Sequence, residues 1–276
     1  MSRSMTVDES AIRGALDKFW NESDLTSESQ MTTARRNYLE FQARRYLDII
    51  RFLSPMSPFS GKQILDLGGG VGSLDVAMNA TFGGTYDVAD YFLPPPSVAK
   101  VSSKYGIRQA YRCNLTDPDP LVSVSTRYDF ILMVEVIEHL LVNPRVLFRG
   151  LKKYLNHPGY VLIATPNQAR LTNRLRLLRG RSIRDGSMGD IYAPEANAPN
   201  GHVVEYTLSD LRGLFQLEGY ALHMSKIVQN PASPEGNPIR AQSRSPFRRL
   251  GIRMLNTGLA NRLALGDELL GLFRLD

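Results

Sequence analysis

The sequence predicts an α/β protein: a seven-stranded, mostly parallel sheet with helices on both faces, plus N-terminal helices and a helical lid insertion. Three observations predict it. From residue 63 onward, apolar runs of strand length alternate with segments of helical periodicity, the pattern of a parallel sheet covered on both faces. The first run, Ile64-Leu65-Asp66-Leu67, ends in glycines, which turn the chain tightly and let a ligand approach the backbone. The 276 residues, 43% of them hydrophobic and 22% charged, suffice for one sizeable core or two small ones.

The elements follow in order. Residues 11–20 read as a short amphipathic helix. Residues 34–53 read as a longer one, with Tyr38, Phe41, Tyr46, Ile49, Ile50 and Leu53 at helical spacing. Ser54-Pro55 and Ser57-Pro58 stop it. Strands are expected at 63–67, 85–89, 106–113, 128–134 and 160–164. Helices between them start at 74 and 97, and a further one opens at 137–141 and forms or continues over 145–155. Residues 168–201 break the rhythm: an Arg- and Leu-rich helix at 171–178, then a loop rich in Gly, Pro and Asn. A helix resumes at 207–215, where Thr207 and Asp210 are spaced as a capping box. A sixth strand spans 220–228, a Pro/Ser/Asn-rich loop 229–245, a basic helix 248–263 and a seventh strand 268–275. The expected organisation is a helical cap over 1–58 and a main domain over 59–276. That domain carries a lid at 168–201 and a basic loop and helix at 229–263.

Composition narrows the class. The single cysteine, Cys113, excludes a disulfide-stapled scaffold. No apolar run reaches the roughly 18 residues of a membrane span, and the N-terminus lacks the apolar core of a signal peptide. The expected location is cytoplasmic. Lys and Arg number 33 against 27 acids, a net charge of +6, which favours an anionic partner without selecting one. Arg170, Arg174, Arg176, Arg179, Arg181 and Arg184 crowd one segment; Arg240, Arg244, Arg248, Arg249 and Arg253 crowd another.

The chemistry concentrates at Asp66-Leu67-Gly68-Gly69-Gly70-Val71-Gly72. Glycine at every second position opens the main chain to a ligand, and the following helix offers free N–H groups. The dinucleotide fingerprint fails because neither register ends in glycine, and no Gly-Lys-Ser/Thr follows for a P-loop. Here the sequence resembles the class I S-adenosylmethionine-dependent methyltransferases, whose acidic-x-G-x-G-x-G motif is met by Asp66, Gly68, Gly70 and Gly72. The resemblance spans residues 60–225 and implies a Rossmann-like fold. It also implies that Asp90, ending the second strand, binds the cofactor's ribose hydroxyls, with Tyr91 beside it. Asn114, followed by Leu115, stands where the family usually has an adenine-facing Asp.

Glu135-Val136-Ile137-Glu138-His139-Leu140 resembles the E-V-x-E-H-L run of a subgroup holding ubiquinone-pathway and glycan O-methyltransferases. Gly201-His202 through Tyr206-Thr207 resembles the same subgroup. Glu135 is expected at the cofactor. If a helix starts there, Glu135, Glu138 and His139 share one face, and His202 reaches it from beyond the insertion. Those four residues are a candidate site for Mg²⁺ or another divalent metal. Alternatively, Glu138 and His139 cap and pack the helix while His202 orders the insertion. Glu138, His139 and His202 are the candidate catalytic residues, through a metal or as a direct base.

The expected reaction is O-methylation of a sugar, glycan or other small-molecule hydroxyl. The alternatives are an RNA 2′-O-methyltransferase and a non-catalytic S-adenosylmethionine-binding protein. The acceptor is expected to be small and anionic or glycan-like. Nucleic acid is disfavoured because the Arg groups lack interleaved aromatics. The Arg segment at 170–184 reads as an acceptor-binding lid or as a solvated helix face. Leu250, Ile252, Leu255 and Leu259 read as a membrane-surface helix or as a packing face. Either a monomer or a homodimer is compatible.

Overall fold

A computed structural model describes residues 6–23, 25, 33–117, 119–183, 202–229 and 265–276. In chain order the helices and strands are α1 (Glu9–Glu22), α2 (Thr33–Leu53), β1 (Gln63–Leu67), α3 (Ser73–Phe82), β2 (Thr85–Asp90), α4 (Pro96–Ser103) and β3 (Ile107–Arg112). There follow β4 (Tyr128–Val134), α5 (Pro144–Leu151), β5 (Leu155–Pro166), α6 (Leu171–Leu178), α7 (Leu208–Leu217), β6 (Tyr220–Val228) and β7 (Glu268–Leu275).

The seven strands form one sheet in the order β3-β2-β1-β4-β5-β7-β6. The five strands from β3 to β5 run parallel, and β7 is antiparallel to both β5 and β6. Strand order reverses between β1 and β4, so the crevice beyond their carboxyl ends is the expected ligand site. Alternation along each strand builds two cores. Ile64, Phe130, Leu132 and Leu162 pack with α1, α2 and α3. Leu65, Ile131, Met133 and Ile163 pack with Leu147 and Phe148 of α5 and with Leu211 and Phe215 of α7. The N-terminal helices therefore belong to the main core. Trp20 of α1 is buried and its indole N–H donates to Ser73 Oγ at 3.0 Å, at the first residue of α3.

All seven expected strands form. The fifth is twelve residues long, not five, because β7 pairs along it from Gly159 to Pro166 and Tyr128 of β4 pairs with Leu155. The helix expected to open at 137–141 does not form. Ile137–His139 is a single 3₁₀ turn, and α5 begins at Pro144 after Asn143 caps Arg145 N. Proline disfavours helical backbone at the residue before it and suits the first helical position. The capping box at Thr207 and Asp210 is present. The lid beyond residue 183, and the basic loop and helix at 229–263 beyond Gln229, lie outside the described residues. No described helix is long and apolar enough to cross a membrane.

Candidate functional site

The glycine turn lies between β1 and α3. Gly68 N donates to Ala89 O at 2.7 Å, fastening the turn to β2. Gly70 has φ +58, and a Cβ built there meets nothing within 4 Å, so its face of the turn is open. Gly70 N donates to Asp90 Oδ2 at 3.0 Å, and Phe92 N to Asp90 Oδ1 at 3.0 Å. Each carboxylate oxygen keeps a lone pair for a further donor. Asp90 is therefore held by two backbone N–H groups at the rim of an open glycine turn, an arrangement that fits a vicinal diol. Asp87, three residues earlier, is fully buried. It takes hydrogen bonds from Arg108 and from Tyr128 Oη at 2.8 Å, which is a structural position.

Asp66 is buried beneath the turn, and its Oδ1 has no hydrogen-bond partner among the described residues. Burial, with a smaller contribution from the charge of Asp90, raises its carboxyl to about 7. Asp75 of α3 is buried beside it and, for the same first reason, stands well above the usual carboxylate range. Sequence reasoning passed over Asp75.

Tyr91 is half exposed and packs edge-on against Phe92. Asn114 turns back on its own loop. Its carbonyl oxygen accepts from Thr116 N at 3.1 Å and Thr116 Oγ1 at 2.8 Å, using both lone pairs. Leu115 is partly buried against the α5-side core.

Segment 135–139 lies against the glycine turn: a Cβ on Gly68 would come within 2.4 Å of Val136 Cγ2. Glu138 is fully buried. Its Oε2 accepts from Thr165 Oγ1 at 2.9 Å, and its Oε1 has no hydrogen-bond partner among the described residues. Burial raises the Glu138 carboxyl to about 7, against Thr165 and His202, which lower it. The main-chain oxygen of Glu138 accepts from Val203 N at 2.7 Å and Val204 N at 3.3 Å. These bonds bring the far side of the insertion back to β4. As a result Glu138, His139 and His202 place ligand atoms within 4.8 Å of one another, with the two imidazole centroids 5.1 Å apart. One carboxylate oxygen with spare capacity and two imidazoles form a donor set that suits a divalent cation.

Glu135 stands apart from this trio. Its φ of +55 turns it away, and its Oε2 lies 2.9 Å from Arg45 Nη2. The shared helical face expected for Glu135, Glu138 and His139 is absent, because the chain makes one 3₁₀ turn there. Arg45 is buried in α2 and also pairs with Glu268 at 3.3 Å. Arg170, of the segment read as an acceptor-binding lid or a solvated helix face, is buried too. Its Nη1 lies 2.7 Å from Glu205 Oε2.

Residues 38–224 match the protein family described as a methyltransferase domain. A ubiquinone biosynthesis O-methyltransferase of Cereibacter sphaeroides (strain ATCC 17029 / ATH 2.4.9) is 28% identical over 173 residues, covering 61% of this chain and 68% of that protein. A protein of the same description from Dinoroseobacter shibae is 34% identical over 122 residues, 43% of this chain and 46% of that one. Among solved structures, a cyclopropane-fatty-acyl-phospholipid synthase-like protein from Lactobacillus casei aligns with a TM-score of 0.57 at 16% identity. That alignment covers 95% of this chain and 100% of that one. The S-adenosylhomocysteine-bound magnesium protoporphyrin IX methyltransferase of Synechocystis aligns at 0.53 and 11% identity over 98% and 100%. At these identities the likeness is one of fold.

Proposed function

The chain belongs to the methyltransferase-domain family, and from that premise we propose that it transfers a methyl group from S-adenosylmethionine to a small-molecule hydroxyl, with help from a divalent metal. The observation that carries the reading is the convergence of Glu138, His139 and His202 beside the glycine turn that holds Asp90. Relatives named O-methyltransferases support an oxygen acceptor. Sugar and glycan hydroxyls are the first acceptor class to screen.

When bound, S-adenosylmethionine supplies a methyl group activated by its sulfonium, and a divalent cation supplies a charge that lowers the pKa of a nearby hydroxyl. The protein's own work is positional and acid–base. Asp90 accepts from the ribose hydroxyls, and Gly70 leaves the room for that contact. Asp66 places a buried carboxyl under the same turn. Glu138, His139 and His202 would hold the cation, with Thr165 fixing one oxygen of Glu138. The alternative to cation holding is that the His139 or His202 imidazole itself takes the proton that the acceptor hydroxyl gives up. Glu135 is assigned to the structural pair with Arg45.

Calorimetric titration of S-adenosylmethionine and S-adenosylhomocysteine on wild type and Asp90→Ala tests the cofactor reading. Binding that weakens at least tenfold in the variant is expected, and no binding to wild type overturns the reading. Loss of turnover in chelator, restored by Mg²⁺ or Mn²⁺, is the result expected for metal assistance. Full activity in chelator excludes it.

A further inference from the structure

His202 is bound on its far side by a network that no cofactor or acceptor role explains. Its Nδ1 lies 3.1 Å from Glu205 Oε1. The other oxygen of Glu205 accepts from Arg170 Nη1 at 2.7 Å and from Asn173 Nδ2 at 3.3 Å. Asn173 also donates to Gln168 O at 2.9 Å, and Arg170 Nη1 to Asn167 O at 3.3 Å. All three partners are almost fully buried, with Glu205 and Arg170 side chains 9% and 10% exposed and Asn173 1%.

We propose that Glu205, clamped by Arg170 and Asn173 at the start of α6, is a positioning residue that fixes the tautomer and ring orientation of His202. The inference rests on the reading of Glu138, His139 and His202 as the reacting cluster. An ionised carboxylate can only accept, so Nδ1 must carry the hydrogen. Nε2 is then the nitrogen left with a lone pair, for a metal or for a proton. A carboxylate behind a ligating imidazole both orients the ring and raises its basicity. Arg170 and Asn173 use both remaining directions of Oε2, so Glu205 cannot swing away.

The test is the imidazole ¹⁵N spectrum of the full chain at about pH 8.5, where an ordinary histidine is neutral, with His202→Ala assigning the resonance. The Nδ1–H tautomer is expected in wild type. Glu205→Ala should lose that preference, weaken Mn²⁺ binding and lower kcat by about 10–100-fold, with KM for S-adenosylmethionine unchanged. Glu205→Gln, whose carbonyl still accepts from Nδ1–H, should keep the tautomer and lose less. An Nε2–H tautomer in wild type overturns the proposal, even if Glu205→Ala fails to fold. So does a Glu205→Ala protein with tautomer and kcat unchanged. If His202→Ala keeps full activity, the reading of the cluster falls while the tautomer result stands, so the two failures are distinguishable.

Discussion

Arg45 Nη2 sits 2.9 Å from Glu135 Oε2, joining the N-terminal helix α2 to the end of β4. The same guanidinium reaches Glu268 at the start of β7. Two acidic side chains from distant parts of the chain thus share one buried cation, and the planar fork of arginine is what lets one residue serve both.

Arg45→Met should destabilise the fold by about 3–5 kcal/mol, because it removes the guanidinium from the buried Glu268 and the partly buried Glu135. Arg45→Lys should fall between, since a point charge cannot meet both acids equally well. Urea unfolding measures both. A loss below ~1 kcal/mol for the methionine variant would show that the acids are solvated.

Gly70 and Gly72 should respond differently to alanine. At Gly72, with φ +82, a Cβ would come within 2.2 Å of Ile107 Cδ1. Overpacking of about 1–3 kcal/mol then adds to a left-handed backbone cost of about 1–2 kcal/mol. At Gly70 only the backbone cost applies, and the methyl group projects into the open face of the turn. Gly70→Ala should stay folded and lose cofactor affinity; Gly72→Ala should lose stability first. Equal melting temperatures with unchanged affinity in both variants would contradict this account.

Asp66 and Asp75 predict an alkaline weakness in the ligand-free protein. Burial raises Asp66 from 3.8 to about 7, and raises Asp75 well above the same value. The folded state therefore holds protons that the unfolded chain releases above 3.8. Their contribution is complete below that pH and is lost as the pH rises through about 7. Asp75→Asn keeps the shape and adds a donor towards Asp66. It should raise the melting temperature at about pH 8 more than at about pH 5. An identical pH slope in wild type and variant would refute the assignment.

Glu218 predicts the opposite sign. Its carboxylate accepts from Arg149 Nε at 2.9 Å and Arg145 Nε at 2.8 Å, and is held down from 4.5 to about 2. This contribution is complete above 4.5 and fades as the pH falls towards about 2. The melting-temperature gap between wild type and Glu218→Gln should accordingly be widest near neutrality and close at the acid end. A gap that stays constant down to about pH 2.5 would mean that the arginine pairs do not set it.

Local chemistry made much of this protein legible in its sequence. Strand and helix alternation, the glycine turn after Asp66, and the Thr207 capping box each depend on residues a few positions apart. Periodicity and backbone preference act at that range. The segment 137–143 reads as a helix because its apolar spacing resembles one, while Asn143-Pro144 delays the helix start. The site's second half was decided only in three dimensions. Glu138 and His202 are 64 positions apart, and main-chain bonds from Val203 and Val204 to Glu138 bring them together. Whether a given arginine faces solvent or a buried acid was likewise invisible in composition. Arg170 and Arg45 look like neighbours of the exposed Arg174 and Arg44 in the sequence, yet each is buried against a carboxylate from a distant strand or loop. The physical reason is that a charge chooses its partner by the dielectric and geometry around it, and both are set by packing of the whole chain.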